Sequence, residues 1–404
     1  MVFAIAVIAM VFVGVRPFGV REWIWALAGA AIAMLIGAEP FEAAVRAVAS
    51  QWNVALFILG LMGLSAAAEC SGLFTWIANV MLERARGSRR RLFVWIFFVG
   101  ALATAVLSND ATAIVFTPIV FRAVSRRGVD ALPYLFACAF VADTASFGLP
   151  FANPANVLVL PRPHLGSYVV HLLPPELAAI AINLLLFLWL FRRHLRGRYE
   201  YEPAGRLEPR ALRASIAMLC VSLAYLAALL LRWPLGPISA VGALVTLAVA
   251  AVPAREAAAR IGWSTFVFLA ALFALLDAVA RAGFVELALH ALDAAARAGQ
   301  LAVILASSVG AALLSNLLNN LPIAVASSFV VAHAPVPDIA YPLIAGVDLG
   351  PNLTTAGSLA TILWLGVLHQ RGVRVSALEY VRLGIVVVPP MLAVTALWLW
   401  IVGR

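Results

Sequence analysis

The sequence predicts an all-α polytopic membrane protein made of two inverted-topology repeats, each holding a re-entrant helical hairpin and a broken transmembrane helix. About ten spanning helices plus two hairpins fit its length. Three observations carry this. Of 404 residues, 64% are hydrophobic and 12% charged, with a mean hydropathy of +1.01, whereas soluble domains are about half apolar and a quarter charged. Several apolar stretches are too long for one helix. Two parts of the chain also repeat each other in the order of their elements.

The apolar stretches run over residues 2–15, 22–38, 52–69, 92–121, 131–160, 172–191, 212–231, 235–253, 263–280, 300–332, 339–368 and 383–402. No basic segment precedes the first, so it reads as a membrane helix and not as a cleaved signal. Stretch 92–121 is flanked by Arg84, Arg86, Arg89, Arg90 and Arg91 on one side and by Arg122, Arg126 and Arg127 on the other. Arginine-rich loops stay in the cytoplasm, so both ends lie on one side and the stretch goes in and comes back. Its centre, Ser108-Asn109-Asp110, supplies the polar groups that a turn inside the membrane needs. Stretch 300–332 repeats the pattern with Asn316, Asn319-Asn320 and Pro322. Its flanks, around Arg297 and His333, are not arginine-rich, so this hairpin is expected to enter from outside.

Residues 52–72 align without a gap to 263–283, pairing Trp52 with Trp263, Phe57 with Phe268, Leu61 with Leu272, Leu64 with Leu275 and Gly72 with Gly283. A hairpin and then an interrupted helix follow each time, 132–160 broken near Gly148-Leu149-Pro150 and 339–368 broken near Gly350-Pro351. An odd number of crossings separates the repeats, which inverts one relative to the other. Broken helices in inverted repeats mark the substrate site of secondary transporters. The expected divisions are N-terminal membrane helices over 1–50, a first transport repeat over 51–191, a basic cytoplasmic linker over 192–211, peripheral membrane helices over 212–260 and a second repeat over 261–404.

Other classes of function fall away. The net charge of +9 comes from 28 basic residues, all arginine. They sit between apolar segments, where they orient helices and do not mark a nucleic-acid partner. Without lysine there is no phosphate-binding loop of the Gly-Lys-Ser/Thr kind. Cys70, Cys138 and Cys220 lie far apart, giving neither a disulfide framework nor a zinc site, and read as packing residues. Neither His-Glu-x-x-His nor a Gly-x-Gly-Asp pair is present, so an intramembrane protease is not indicated. No enzyme activity and no cofactor are expected, and energy must come from an ion gradient or a partner.

Four polar clusters lie within apolar stretches: Asn109, Asp110 and Thr112; Asp143, Thr144, Ser146, Asn153 and Asn156; Asn319 and Asn320; and Asp348, Asn352, Thr354, Thr355, Ser358 and Thr361. Groups of this kind are costly at membrane depth and functional by default. Asp110, Asp348 and Asp143 are the proton-coupling candidates, with capping of a half-helix as the plainer role for Asp143. The hairpin tips and the breaks at Gly148 and Gly350 are expected to converge on one cavity. Glu69 reads as interfacial and Asp277 as a second-rank candidate. Trp23, Trp233 and Trp400 read as interface anchors, and Pro389-Pro390 as a kink in the last helix.

These residues resemble the arsenite efflux permeases, the arsenical pump membrane proteins of the ion transporter superfamily. The resemblance spans nearly the whole chain. It rests on Asn109-Asp110 followed by Thr117-Pro118-Ile119-Val120, on the run from Phe140 to Ser146, on Asn319-Asn320-Leu321-Pro322, and on Asp348-Leu349-Gly350-Pro351 continuing through Gly357-Ser358 to Trp364. Two departures stand out: Thr354-Thr355-Ala356-Gly357 replaces Thr-Pro-Ile-Gly, and Asn153-Pro154-Ala155-Asn156 is equally similar to related carriers. The resemblance implies export of arsenite and antimonite across the cell inner membrane in exchange for protons. It also implies that a cytoplasmic arsenite-stimulated ATPase can dock. Arsenous acid is a neutral triol, which suits the hydrogen-bonding set Asn109, Asp110, Thr112, Thr144, Asn153, Asn156, Asn319, Asn320, Asn352, Thr354, Ser358 and Thr361. A sodium/proton antiporter or a dicarboxylate carrier of the same superfamily is the alternative.

Overall fold

The computed structural model describes residues 2–15 and 20–404. Among them the regular elements are all helices, and the one β-bridge, Ser88 to Arg198, is isolated. Met1 and residues 16–19, within the expected N-terminal helices, lie outside the described residues. The first half contains α1 (Val2–Val15), α2 (Glu22–Leu35), α3 (Phe41–Ser50), α4 (Trp52–Cys70) and α5 (Leu73–Arg84). Its hairpin is α6 (Arg89–Val106), the single turn α7 (Asn109–Ala111), a π-helical turn (Thr112–Phe116) and α8 (Thr117–Ser125). The broken helix is α9 (Leu132–Thr144) and α10 (Pro154–Val159), and α11 (Leu165–Leu190) closes the half.

The second half repeats this order with α12 (Pro209–Leu230), α13 (Leu235–Val249), α14 (Ala254–Arg260), α15 (Trp263–Val279) and α16 (Val285–Arg297). Its hairpin is α17 (Gln300–Leu318) and α18 (Asn320–His333). The broken helix is α19 (Ala340–Leu349), a 3-10 turn (Gly350–Leu353) and α20 (Leu359–His369), and α21 (Ala377–Val402) ends the chain.

The aligned glycines Gly72 and Gly283 take φ of 78° and 97°, a left-handed conformation that glycine reaches without a Cβ clash. Each turns the chain out of a spanning helix. The helices that follow, α5 and α16, have 12 and 13 residues. α16 carries Glu286, His290, Asp293 and Arg297 and α5 closes on Glu83 and Arg84, charges that set both apart from the spanning helices. The crossings of the first half are then α1, α2, α4, the α9–α10 pair and α11, an odd number, and this inverts the second half.

The matching order reaches back to α1 and α12, so α1 to α3 and α12 to α14 have equivalent places in the two halves. The halves are also crossed: α2 packs on α15, and α13 packs on α4. Close approach needs small residues, and a Cβ at Gly63 would sit 2.8 Å from that of Ala243, while one at Gly60 would overlap Ser239. Polar contacts fasten the pair, since Ser239 Oγ donates to the Phe57 carbonyl at 3.0 Å and the Gly236 amide donates to Asn53 Oδ1 at 2.8 Å.

Residues 192–211 fold onto the loop between α5 and α6. The Tyr199 amide donates to the Gly87 carbonyl at 2.9 Å, the Tyr199 hydroxyl to Leu82 O at 2.9 Å, and Trp76 Nε1 to Gly205 O at 3.0 Å. Arg122, Arg126 and Arg127 border the same cleft as Glu200, Tyr201 and Glu202. Both arginine-rich flanks of the first hairpin and the linker therefore share one end of the bundle. The second hairpin starts at the other end, where Gln300 Nε2 donates to Gly403 O at 3.0 Å. Cysteines introduced as Ser88→Cys and Ser125→Cys, in a chain freed of its own three, are expected to be labelled from the cytoplasmic side alone. Labelling of the two from opposite sides would remove the hairpin.

Candidate functional site

The ends of the broken helices meet at the centre and are exchanged between the halves: α10 packs on α18, and α20 packs on the first hairpin. Each half-helix end carries an aspartate held by the other half. Asp143, at the end of α9, accepts from Ser358 Oγ at 3.2 Å and Thr361 Oγ1 at 3.4 Å on Oδ2, and from Asn109 Nδ2 at 3.4 Å on Oδ1. Asp348, at the end of α19, accepts from Asn153 Nδ2 at 2.8 Å and lies 2.9 Å from Ser146 Oγ. Ser358 and Asn153 are also the N-caps of α20 and α10. These bonds tie the two breaks together.

Counting donors separates the two aspartates. Ser146 has one hydroxyl hydrogen, and its Oγ is 2.9 Å from the Asp143 carbonyl, which only accepts. Its contact with Asp348 Oδ2 is completed when that oxygen carries the second hydrogen. Asp143 has a donor for each oxygen and is satisfied as a carboxylate. Ion pairs join His171 with Asp338, His194 with Asp130, Arg260 with Glu69, and Arg281 with Glu39 and Asp277. None of them involves the central aspartates.

A cavity of about 320 Å³ leads to this centre past Met62, Ser65 and Thr265. Asn109, Asp110, Asn153 and Asn320 converge at its inner end. Asn320 Oδ1 is buried there without a protein partner. At the mouth stands the half-exposed pair Arg260 Nε to Glu69 Oε2, 3.1 Å apart. It lies at the end of α4 that leads into α5, so the cavity opens toward the arginine-rich end. Glu69, read from sequence as interfacial, borders this mouth in its pair with Arg260.

Several expected site residues turn away from this cavity. Thr112 Oγ1 pairs with Thr104 Oγ1 at 2.8 Å inside the first hairpin. Thr144 Oγ1 accepts from Asn183 at 2.9 Å and from Asn352 at 3.1 Å. Asn156 donates to Ser146 O at 2.7 Å, Asn319 to Ala356 O at 3.2 Å, and Thr354 to Asn316 Oδ1 at 2.7 Å. The unwound breaks free backbone carbonyls that need partners, and Asn156 and Asn319 supply them, while the threonines bond other side chains. Gly148 and Gly350 lie behind the cavity, a correction to the expectation that they converge on it, whereas Asn153 of the first break reaches its inner end. A Cβ at Gly148 would overlap Glu176, and one at Gly350 would overlap Ala312. Asp277 is bound to Arg281 at 2.7 Å, away from the site. Cys70, Cys138 and Cys220 are free thiols.

Ser146, Asn183 and Glu176 were not assigned from sequence to the site they support. Ser146 stood in a polar cluster, and Glu176 is a lone acid after Pro174-Pro175 within an apolar run.

Two hairpins and two broken helices around a buried polar centre define a membrane transporter. The chain belongs to the family of the arsenical pump membrane proteins and matches the family described as "CitMHS: Citrate transporter" over residues 4–351. It is 30% identical to the arsenical pump membrane protein of Yersinia enterocolitica over 85% of each chain. With that of Escherichia coli K12 it shares 29% over 97% of this chain and 96% of the relative. Among solved structures, the Alcanivorax borkumensis YdaH transporter, described as having an unusual topology, shares the fold with a TM-score of 0.55. Its identity is 14%, and the match covers 90% of this chain and 88% of that one.

Proposed function

We propose that this protein exports arsenite, and antimonite, across the inner membrane in exchange for protons, by alternating access around Asn109, Asp110, Asn153 and Asn320. The observation that supports this most is an inner recess lined by three amides and one carboxyl, with no basic side chain at it. A neutral triol finds donors and acceptors there. A citrate or dicarboxylate anion would face Asp110 without a counter-charge, and the nearest cation, Arg260, is bound to Glu69 at the mouth. In the exchange, a proton leaving Asp110 toward the cytoplasm frees both carboxylate oxygens to accept from the hydroxyls of arsenous acid. Proton and substrate thus compete for one place.

Everted vesicles test the reading. Arsenite is expected to accumulate when the lumen is acidified, without nucleotide, and to leak out when a protonophore is added. Accumulation that follows a sodium gradient alone, or that occurs with citrate and not arsenite, would replace the proposal with one of its rivals.

A further inference from the structure

Glu176 lies on α11 and is 5% exposed. Its Oε1 accepts from the Gly148 amide at 2.8 Å, inside the break of the first half. Two turns earlier on the same helix, the Tyr168 hydroxyl donates to the Phe147 carbonyl at 2.9 Å. The two side chains clamp consecutive residues of the break, and glycine at 148 leaves the carboxylate room to approach. The second half holds its break differently, with neutral groups: Asn316 Nδ2 donates to Gly350 O at 2.8 Å, and Gly384 of α21 packs on the Asn352 carbonyl. Asp143 and Asp348 tie the two breaks to each other, and the first break has Glu176 as a further ionisable support, on its backbone. Capping a backbone amide does not require one, since an amide oxygen would serve.

The titratable groups that face Glu176 are Tyr168 on its own helix and Asp348 on α19. No basic side chain does so among the described residues. Asp143, Asp348 and Glu176 thus form a buried shell of carboxyls without a cation, and such a shell cannot be fully charged at membrane depth. Protons must reside in it. An outer cavity lies on the far side of Tyr168. The Tyr168 ring meets that of Tyr341 edge-on, with centroids 6.2 Å apart. His171 stacks on Tyr341 at 4.3 Å, and these two border a cavity of about 340 Å³ together with Asp338. That cavity lies at the end of α11 opposite the arginine-rich linker.

We infer that Glu176 is a second proton-binding group of the transport cycle, loaded from the outer side through the His171–Tyr341 cavity, whereas Asp110 exchanges with the cytoplasm. This rests on the proton-exchange reading above. The proton adds to the carboxyl and leaves from it, while Oε1 keeps the Gly148 amide in both states. The break therefore holds its shape as its charge changes.

The test uses Glu176→Gln in the full chain, because glutamine still accepts from the Gly148 amide but cannot titrate. In pH-difference infrared spectra of the purified protein in liposomes, the variant is expected to lose one protonated-carboxyl band. An unchanged spectrum overturns the inference whether or not arsenite is the substrate. In everted vesicles the variant should lose roughly tenfold in arsenite accumulation at acidic lumen pH, the worth of one pH unit of driving force. A wild-type dependence on lumen pH would also overturn it, since a purely structural cap predicts that result. Wild-type vesicles that accumulate nothing on a pH gradient would sink the export reading, and the infrared arm would still decide for Glu176. If Glu176→Gln does not fold, Glu176→Asp serves: its band should move in pH, and a band that stays in place counts against the inference.

Discussion

Asp110→Asn is expected to abolish proton-driven arsenite accumulation while sparing exchange of arsenite between equal concentrations. Asparagine keeps the size and one acceptor oxygen of the side chain but carries no exchangeable charge. The Asp110 amide is already bonded to Asn109 Oδ1 at 3.0 Å, a contact that the substitution leaves alone. The hairpin tip should therefore fold as before. Accumulation should fall by roughly tenfold or more, since each pH unit of lost coupling is worth about 1.4 kcal/mol. Counterflow of labelled arsenite should persist within about twofold. Wild-type accumulation with wild-type pH dependence would show that the proton travels by another carboxyl.

A contrast between Asp348→Asn and Asp143→Asn follows from the donor count around the two groups. If Asp348 carries a hydrogen on Oδ2, asparagine is its neutral analogue. The new NH₂ donates to Ser146 Oγ, and Oδ1 still accepts from Asn153. Folding should then change by less than about 1 kcal/mol. At Asp143 the same change sets an NH₂ against Ser358 and Thr361 or against Asn109, all of them donors to the native carboxylate. The hydroxyls would have to turn, and Ser358 already accepts from the Thr361 amide at 3.0 Å. A cost of roughly 1–3 kcal/mol is expected from one buried conflict, together with loss of transport. Thermal unfolding in detergent compares the two variants. Equal destabilisation would refute the assignment of the proton to Asp348.

The features legible in the sequence are those written in charge and spacing. Arginines on both sides of 92–121 reveal a returning segment whatever its side chains touch, and the register of Trp52 on Trp263 reveals the repeat. Side-chain direction was less accessible. Asp110 and Thr112 are two residues apart in a helical hairpin tip, and a rotation of about 200° sends one into the cavity and the other against Thr104. The amides and hydroxyls of the breaks looked like ligands because they are polar at depth, but Asn156 and Asn319 satisfy carbonyls that the breaks expose, and Ser358 and Thr361 hold Asp143. Glu176 was hidden by the apolar run around it, although a single acid there is the same signal that identified Asp110. The places of α1, α2, α12 and α13 in the repeats could not be read, because small apolar residues such as Gly29 and Gly60 acquire meaning only opposite the helix that fills them.

The crossed packing of α2 on α15 and of α13 on α4 bears on how the chain is made. When α4 leaves the translocon, the partner for its glycine notch and for Asn53 has not been translated. About 165 residues separate the end of α4 from the start of α13, roughly ten to thirty seconds of synthesis at about 5–20 residues per second. During that interval the nascent first half shows lipid an unfilled polar groove, the kind of surface that insertion chaperones shelter and membrane proteases recognise. Neither half is a finished folding unit, and a chain cut between them has to find its partner within the bilayer before it is degraded.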